Sequence, residues 1–332
     1  MEPAKLESYY INSGMLGAII GDIVDSRWEF NPTNDYNFEW MSDKNGFTDD
    51  TICTVAVADA LLQGRDFGES IHDWCRRYPH PMGGYGGRFS QWVQSDNPQP
   101  YNSFGNGAAM RVSPVAHWYD NVDEMLDAAA ATALPSHNHD EGIKGAQTVA
   151  LAIFKALSYH RYQEAPKHID EILNECVQFS GYDINMPKAS VLNRFDETCQ
   201  GTVPVALKII SIATDFQDAV RLAVSLGADA DTLGTIVGSI AEAIWGIPMV
   251  IRHQIEDFIP EEMQFIVDEF LRARPYSFKP LIDTTFYKKD YSEAAWDMLD
   301  DKERKELMEI VDKEKDEKRE LMKMRGKARE QW

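Results

Sequence analysis

Apolar residues recur at helical spacing through most of the chain, and strand-like alternation is scarce. From Ser13 to Val24, glycine or alanine at 14, 17, 18 and 21 stands beside Met15, Leu16, Ile19, Ile20 and Ile23, which predicts a tightly packed interior helix that carries Asp22 inward. After Thr48-Asp49-Asp50 the stripe Ile52, Val55, Ala56, Ala58, Leu61 and Leu62 ends at Gly64, so Thr48 is placed as an N-cap and the glycine as a terminator. Asp231-Thr232 opens a second such run, Leu233, Ile236, Val237, Ile240, Ala241 and Ile244, closed by Gly246 and Pro248. Further helices are predicted at 68–78, 107–118, 121–133, 141–160, 165–179, 203–213, 215–226 and 260–272, with loops at 25–47 and 79–106. The pattern predicts an all-α fold, a single compact multi-helix orthogonal bundle of roughly ten helices whose polar loops gather where ligands could bind.

The last part of the chain reads differently. From about Asp290 onward it is rich in Lys and Glu, with apolar positions such as Trp296, Leu299, Leu307, Ile310, Val311, Leu321 and Met324 too irregular for heptads. A body at 1–285 and a charged helical extension at 286–332, solvated and packed along one edge, are the expected division. With 332 residues, 44% of them hydrophobic, the chain can bury a large core.

Charge narrows the partners. The net charge is −21, yet residues 301–332 hold 11 basic and 10 acidic side chains, so the acidity belongs to the body. Such a body repels an extended phosphate backbone and argues against nucleic-acid binding, while a small phosphorylated ligand stays admissible where N–H groups and metals supply positive field. No apolar run has the length of a membrane span, and the start Met1-Glu2-Pro3-Ala4-Lys5 lacks the features of a leader, so a cytoplasmic protein is expected. Cys53, Cys75, Cys176 and Cys199 form no Cys-x-x-Cys pair and are expected as reduced structural thiols.

The two acidic elements carry the candidate chemistry. Singly, each is ordinary helix capping, since aspartates favour the first turn. Together Thr48, Asp49, Asp50, Asp229, Asp231 and Thr232 offer only oxygen ligands, a set suited to Mg²⁺ or Mn²⁺. Were their carboxylates to converge, each close pair would repel by about 4 kcal/mol, which two divalent cations would cancel.

Three loops bear on substrate. Gly83-Gly84-Tyr85-Gly86-Gly87 and Gly105-Asn106-Gly107-Ala108-Ala109-Met110-Arg111 place small residues ahead of helices, where exposed N–H groups can cradle phosphate oxygens or where the glycines simply make turns. Neither fits a dinucleotide fingerprint or a P-loop. Ser136-His137-Asn138-His139 precedes another helix, and substrate hydrogen bonding or capping suits its histidines better than metal ligation.

These motifs, with Gly17-Ala18-Ile19-Ile20-Gly21-Asp22, Phe47-Thr48-Asp49-Asp50-Thr51, Gly142-Ile143-Lys144-Gly145-Ala146 and Gly227-Ala228-Asp229-Ala230-Asp231-Thr232, occur in one order over residues 13–250, and the chain thereby resembles the ADP-ribosylglycohydrolases. The resemblance implies an all-helical catalytic domain over 1–285, two Mg²⁺ or Mn²⁺ ions and hydrolysis of an ADP-ribosyl N- or O-glycosidic bond. Its metal ligands fall on Thr48, Asp49, Asp50, Asp229, Asp231 and Thr232. Glu29, Asp50 and Asp231 would be the catalytic carboxylates, Glu29 taking the proton of a water that the ions activate toward the ribose anomeric carbon. Substrate contacts would come from Gly84, Tyr85, Gly86, Gly87, Gly105, Asn106, Gly107, Met110, Ser136 and His137, with Tyr85 or Tyr101 stacking on adenine. The implied partner is an ADP-ribosylated protein, arginine-linked first, or an ADP-ribose derivative. Two departures stand out: Asp25 where relatives carry a small residue, and Asp140 where proline is common. The same residues also suit a silent ADP-ribose-binding protein or a Mg²⁺-dependent nucleotide phosphohydrolase.

Overall fold

The helices, in chain order, are α1 (Leu16–Asp25), α2 (Asp49–Gln63), α3 (Phe67–Arg77), α4 (Gly87–Gln94), α5 (Gly107–Met110), α6 (Ser113–Trp118), α7 (Val122–Ala133) and α8 (Asp140–His160). They continue as α9 (Ile169–Ser180), α10 (Cys199–Ile212), α11 (Phe216–Ser225), α12 (Ala230–Trp245), α13 (Met249–Ile255), α14 (Glu261–Ala273) and α15 (319–331). The computed structural model describes residues 10–11, 14–160, 165–227, 230–274, 316 and 319–332, and for Tyr10, Ile11, His160, Ala230, Asp231 and Met249 the backbone alone. The fold is all-α, its sheet a two-stranded antiparallel pairing of β1 (Tyr10–Ile11) with β2 (Ile247–Pro248). No helix among the described residues is long and apolar enough to cross a membrane.

The core is organised by α12, which packs along α1, α8, α10 and α11. Every residue of α1 is buried, and the reason is a glycine seam. A Cβ at Gly17 would lie 2.3 Å from the Gly238 carbonyl oxygen, and one at Gly21 only 2.0 Å from that of Gly234. Backbone therefore meets backbone, with a four-residue step on both helices in opposite directions. Continuing that step brings Asp25 to the first turn of α12, where a Cβ at Gly234 would sit 1.8 Å from Asp25 Oδ2. The far end of the seam is closed by Glu242, fully buried, whose carboxylate accepts from the Gly14 N–H at 3.0 Å and the Gly17 N–H at 2.7 Å. These are the exposed donors at the start of α1, where negative charge is favoured. Arg274, also buried, adds positive charge nearby, and burial pulls its guanidinium down to about 10 while Glu242 opposes that fall.

Helix α2 follows its expected grammar. Thr48 caps it by accepting from the Asp50 N–H, and Gly64 ends it in the left-handed region at φ +63 with its N–H on the Ala60 carbonyl. Elsewhere the structure departs from expectation. The stretch 79–106, read as loop, contains α4, and 107–118, read as one helix, breaks between α5 and α6 because Arg111 turns inward and is fully buried. Residues 249–255, given no element, form α13. All four cysteines are free and buried, with Cys53 and Cys75 Sγ 3.8 Å apart between α2 and α3.

Helix α15 lies against the body, with Arg325 only 7% exposed and its Nη1 donating to the Ile210 and Ser211 carbonyls at the end of α10. Orphan carbonyls at a helix C-terminus make a natural seat for a cation.

Candidate active site

The first turn of α2 is built on Asp22. Its carboxylate accepts from the Thr48 N–H at 2.9 Å, the Thr48 hydroxyl at 2.7 Å, the Thr51 N–H at 3.1 Å and the Thr51 hydroxyl. Asp22 thus sits one turn below the acidic pair and fixes both threonines that bracket it. Burial pushes its carboxyl above the usual carboxylate range even though every one of these bonds pulls the other way. No lysine or arginine among the described residues pairs with it.

Asp50 is 1% exposed and Asp49 half-buried. The Asp50 Oδ2 atom has the Thr48 hydroxyl at 3.4 Å on its own helix and the Thr232 hydroxyl at 3.4 Å from α12. Thr48, Asp50 and Thr232 are therefore neighbours, although 182 residues separate the last two. The seam explains this meeting. Close approach of α1 and α12 puts Asp22, which grips Thr48, beside the N-terminus of α12, which carries Thr232. The backbone of Asp231 lies in the first turn of α12, while its side chain, and Asp229 altogether, lie outside the described residues. Among the described residues no three His, Cys, Asp or Glu side chains are grouped as a metal site. The Thr48–Asp50–Thr232 group nonetheless has the character that Mg²⁺ or Mn²⁺ requires, being buried and exclusively oxygen.

Glu29 follows the short 3-10 turn Ser26–Trp28 and is partly buried. Its segment is tied down at several points. Asn45 Nδ2 donates to the Ile23 carbonyl at 2.7 Å, the Gly46 N–H donates to Ser26 Oγ at 3.1 Å, and Arg27 reaches Ser42 Oγ at 2.7 Å and Glu39 Oε2 at 3.0 Å. The Glu29 carboxylate lies against Gly83, where a Cβ would come within 2.3 Å of Oε2. Gly83 and Gly84 hold φ +76 and +82, so the turn that receives Glu29 needs glycine in both space and conformation.

Beyond it, Gly84, Gly86 and Gly87 face open space, and Gly86 precedes α4 with no side-chain cap. That N-terminus is free to receive an anion. Tyr85 does not join it. Its phenol donates inward to the Cys75 and Tyr78 carbonyls at 3.0 and 2.7 Å, and its ring meets Phe89 edge-on, so it anchors the glycine turn from beneath. Tyr101 is covered by the Arg88 guanidinium 4.7 Å from its ring centre. Phe104, beside the Gly105–Gly107 loop, is 44% exposed with its ring in T-shaped contact with His139, and the sequence reading gave it no role.

The Gly105–Gly107 loop is held by main-chain pairing of Gly105 with Thr198, by the Asn106 N–H on the Glu197 carbonyl at 2.7 Å and by Asn106 Nδ2 on Thr202 Oγ1 at 3.0 Å. Met110 is buried beneath it as packing. His137 closes the loop from the other side, its Nε2 3.0 Å from where a Cβ on Gly107 would stand. Arg111 Nη2 donates to the Thr132 carbonyl at 2.7 Å and to Ser136 Oγ at 3.0 Å, and Ser136 Oγ lies 2.7 Å from His137 Nδ1. Burial, then the Arg111 charge, pushes the His137 imidazole well below the usual histidine range. A neutral ring whose Nδ1 accepts the serine proton must carry its own proton on Nε2. The ring turns Nε2 toward the glycine loop, and where Ser136 donates to Nδ1 that nitrogen is an N–H donor. Sequence reading singled out Ser136 and His137 but missed Arg111, whose signal was its place directly after a glycine-rich helix start.

Comparison with known proteins identifies the family of the chain. The ADP-ribosylglycohydrolase family profile matches residues 8–278. Relatives include the ADP-ribosylhydrolase ARH3 of Homo sapiens, 25% identical over 309 residues covering 71% of this chain and 85% of that protein. The ADP-ribosylarginine hydrolase Tri1 of Pseudomonas putida is 24% identical over 267 residues, 70% of each chain. Among solved structures, a chain of an ADP-ribosylglycohydrolase-related protein complex superposes with a TM-score of 0.60 at 25% identity, covering 81% of this chain and 98% of its own. A profile that spans most of the sequence, together with these hydrolase relatives, leads to one conclusion: the chain belongs to the ADP-ribosylglycohydrolase family and is a glycohydrolase enzyme.

Proposed function

We propose that the enzyme removes ADP-ribose from ADP-ribosylated protein side chains, arginine first, in a reaction that depends on two Mg²⁺ or Mn²⁺ ions. The observation that carries this reading is the Thr232 hydroxyl 3.4 Å from Asp50 Oδ2, since it joins the two acidic elements at one point. Thr48, Asp49, Asp50 and Thr232, with Asp229 and Asp231, would hold the ions. Bound there, the cations supply the positive field that orients ribose hydroxyls and lowers the pKa of water.

The remaining steps belong to the protein. Glu29, whose carboxylate lies against the Gly83 turn, would accept a proton from the attacking water. Carboxylates around Asp50 favour the positive charge that develops on the ribosyl ring as the anomeric bond lengthens. The α4 N-terminus at Gly86 and Gly87, the Gly105–Gly107 main chain and the His137 Nε2–H would receive pyrophosphate oxygens. The arginine preference is supported by the relative named for ADP-ribosylarginine hydrolysis.

The test is release of free ADP-ribose from an ADP-ribosylarginine peptide with Mg²⁺, with EDTA, and with Asp50→Ala. Release that needs the metal and falls by about a hundredfold or more in the variant is expected. Equal turnover in all three conditions would sink the proposal, and release of inorganic phosphate instead would move the activity to a phosphohydrolase.

A further inference from the structure

We propose that α15 is a strap that positions the active-site mouth, with Arg329 and Trp332 as positioning residues for the two segments that flank it. This rests on the reading of the Asp50–Thr232 cluster as the reaction centre. The family profile ends at residue 278, so nothing in the likeness assigns α15 a task.

Each segment is held from the same helix. Arg329 Nη1 lies 2.9 Å from Asp218 Oδ1, the oxygen that also accepts the Tyr36 hydroxyl, and its guanidinium stacks 4.3 Å from the Tyr36 ring centre. Asp218 is 6% exposed in this pair and its other oxygen takes the Thr214 N–H and hydroxyl, so the carboxylate is rigidly aimed. Tyr36 belongs to the same loop as Glu29, and Arg221 grips that loop again through the Tyr36 and Phe38 carbonyls at 3.1 and 2.9 Å. One turn of α15 further on, Trp332 Nε1 donates to the Met186 carbonyl at 3.0 Å, with Lys188 5.6 Å over its ring. Met186 lines a cleft of about 470 Å³ whose wall includes Val191, Thr198 and Leu233, the residue after Thr232.

The two held segments converge. Asn34 Nδ2 donates to the Ser225 carbonyl at 3.0 Å, and the Asn193 N–H to the Leu226 carbonyl at 2.8 Å. Gly227 is enclosed between them: a Cβ there would lie 2.5 Å from Asn193 Oδ1 and 3.3 Å from Pro32 Cβ. Gly227 leads directly into Asp229 and Asp231. The contact chain therefore runs from Arg329 and Trp332, through Tyr36 and Met186, to both loops and to the root of the second acidic element. A charged helix that served only as a solvated edge would need neither its arginine on a buried carboxylate nor its indole on a loop carbonyl.

The test uses the full chain with Arg329→Gln and Trp332→Ala, singly and together, and Arg329→Lys as the conservative variant. Hydrogen exchange is measured in 29–46 and 181–198, beside melting temperature and the KM and kcat for the ADP-ribosylarginine peptide. In the double variant, exchange should rise about tenfold in both segments and KM about tenfold, with kcat changed less than about threefold and exchange elsewhere in the chain unmoved even where the melt falls by a few degrees. Each single variant should loosen its own segment only, and Arg329→Lys should recover part of the protection in 29–46. Unchanged exchange in both segments overturns the proposal, as does a rise spread evenly over the chain with a falling melt, which marks α15 as mere ballast for stability. Should the unaltered enzyme leave the peptide intact, the functional reading fails while the exchange data still judge the strap.

Discussion

The two ends of the α1–α12 seam bury carboxylates under the same helices and treat them in opposite ways. At one end Glu242 receives two N–H donors at the start of α1 and has the Arg274 charge close by. At the other, Asp22 receives only neutral donors, and Asp50 has threonine hydroxyls at 3.4 Å. Dipoles alone do not offset the burial of charge, as the upward push on Asp22 records. The first end brings a cation of the chain close to its carboxylate, while the donors around Asp22 at the second are all neutral.

The strongest way to break the comparison is to part the helices. Gly21→Val drives a side chain into the Gly234 carbonyl and should cost about 3 kcal/mol or more, seen as aggregation on expression or a melt lowered by well over ten degrees. Next comes the Glu242 end: Glu242→Gln should destabilise by about 3 kcal/mol in urea titration while the metal-induced rise in melting temperature survives. Asp50→Asn should do the reverse, leaving metal-free stability equal or about 1 kcal/mol higher and abolishing the Mg²⁺-dependent shift. If both variants lose the metal response alike, the two ends are not functionally distinct. A smaller effect concerns His137. Its folded pKa is depressed, so the unfolded chain takes up a proton near pH 6.5 that the folded chain refuses. The associated stability is full above that pH and is lost as pH falls, by up to about 1.4 kcal/mol per unit, and His137→Gln should flatten that slope. Of similar size is Thr51→Val, which removes one hydroxyl from Asp22 and should cost about 1–2 kcal/mol by urea titration.

Much of this was legible in the chain. The Thr48 cap, the Gly64 terminator and the inward Asp22 all follow from local rules, because helix ends are governed by near neighbours. Helix α4 was only half legible: the glycine run was read as leading into a helix, yet its eight residues stayed inside the 79–106 loop, although Phe89, Trp92 and Val93 stood at helical spacing. The break after α5 was invisible because its cause, Arg111 bonding Thr132 and Ser136, lies 21 and 25 residues away. The resemblance offered Tyr85 or Tyr101 as a ring to stack on adenine, and only the positions of the Cys75 and Tyr78 carbonyls show which way the Tyr85 phenol turns. The basic groups of α15 read as solvated, and nothing local separates Arg325 and Arg329, which are seated on the body, from Lys323, whose partner is a neighbour on its own helix.

Because the backbones touch at Gly17 and Gly21, α1 and α12 cannot slide or roll past one another without steric collision. The two paired helix starts are thus carried on a rail, and whatever adaptability the enzyme needs to admit its substrate must come from its rim. Selection for a new acceptor would then act on the loops alone, and leave the hydrolytic centre as inherited.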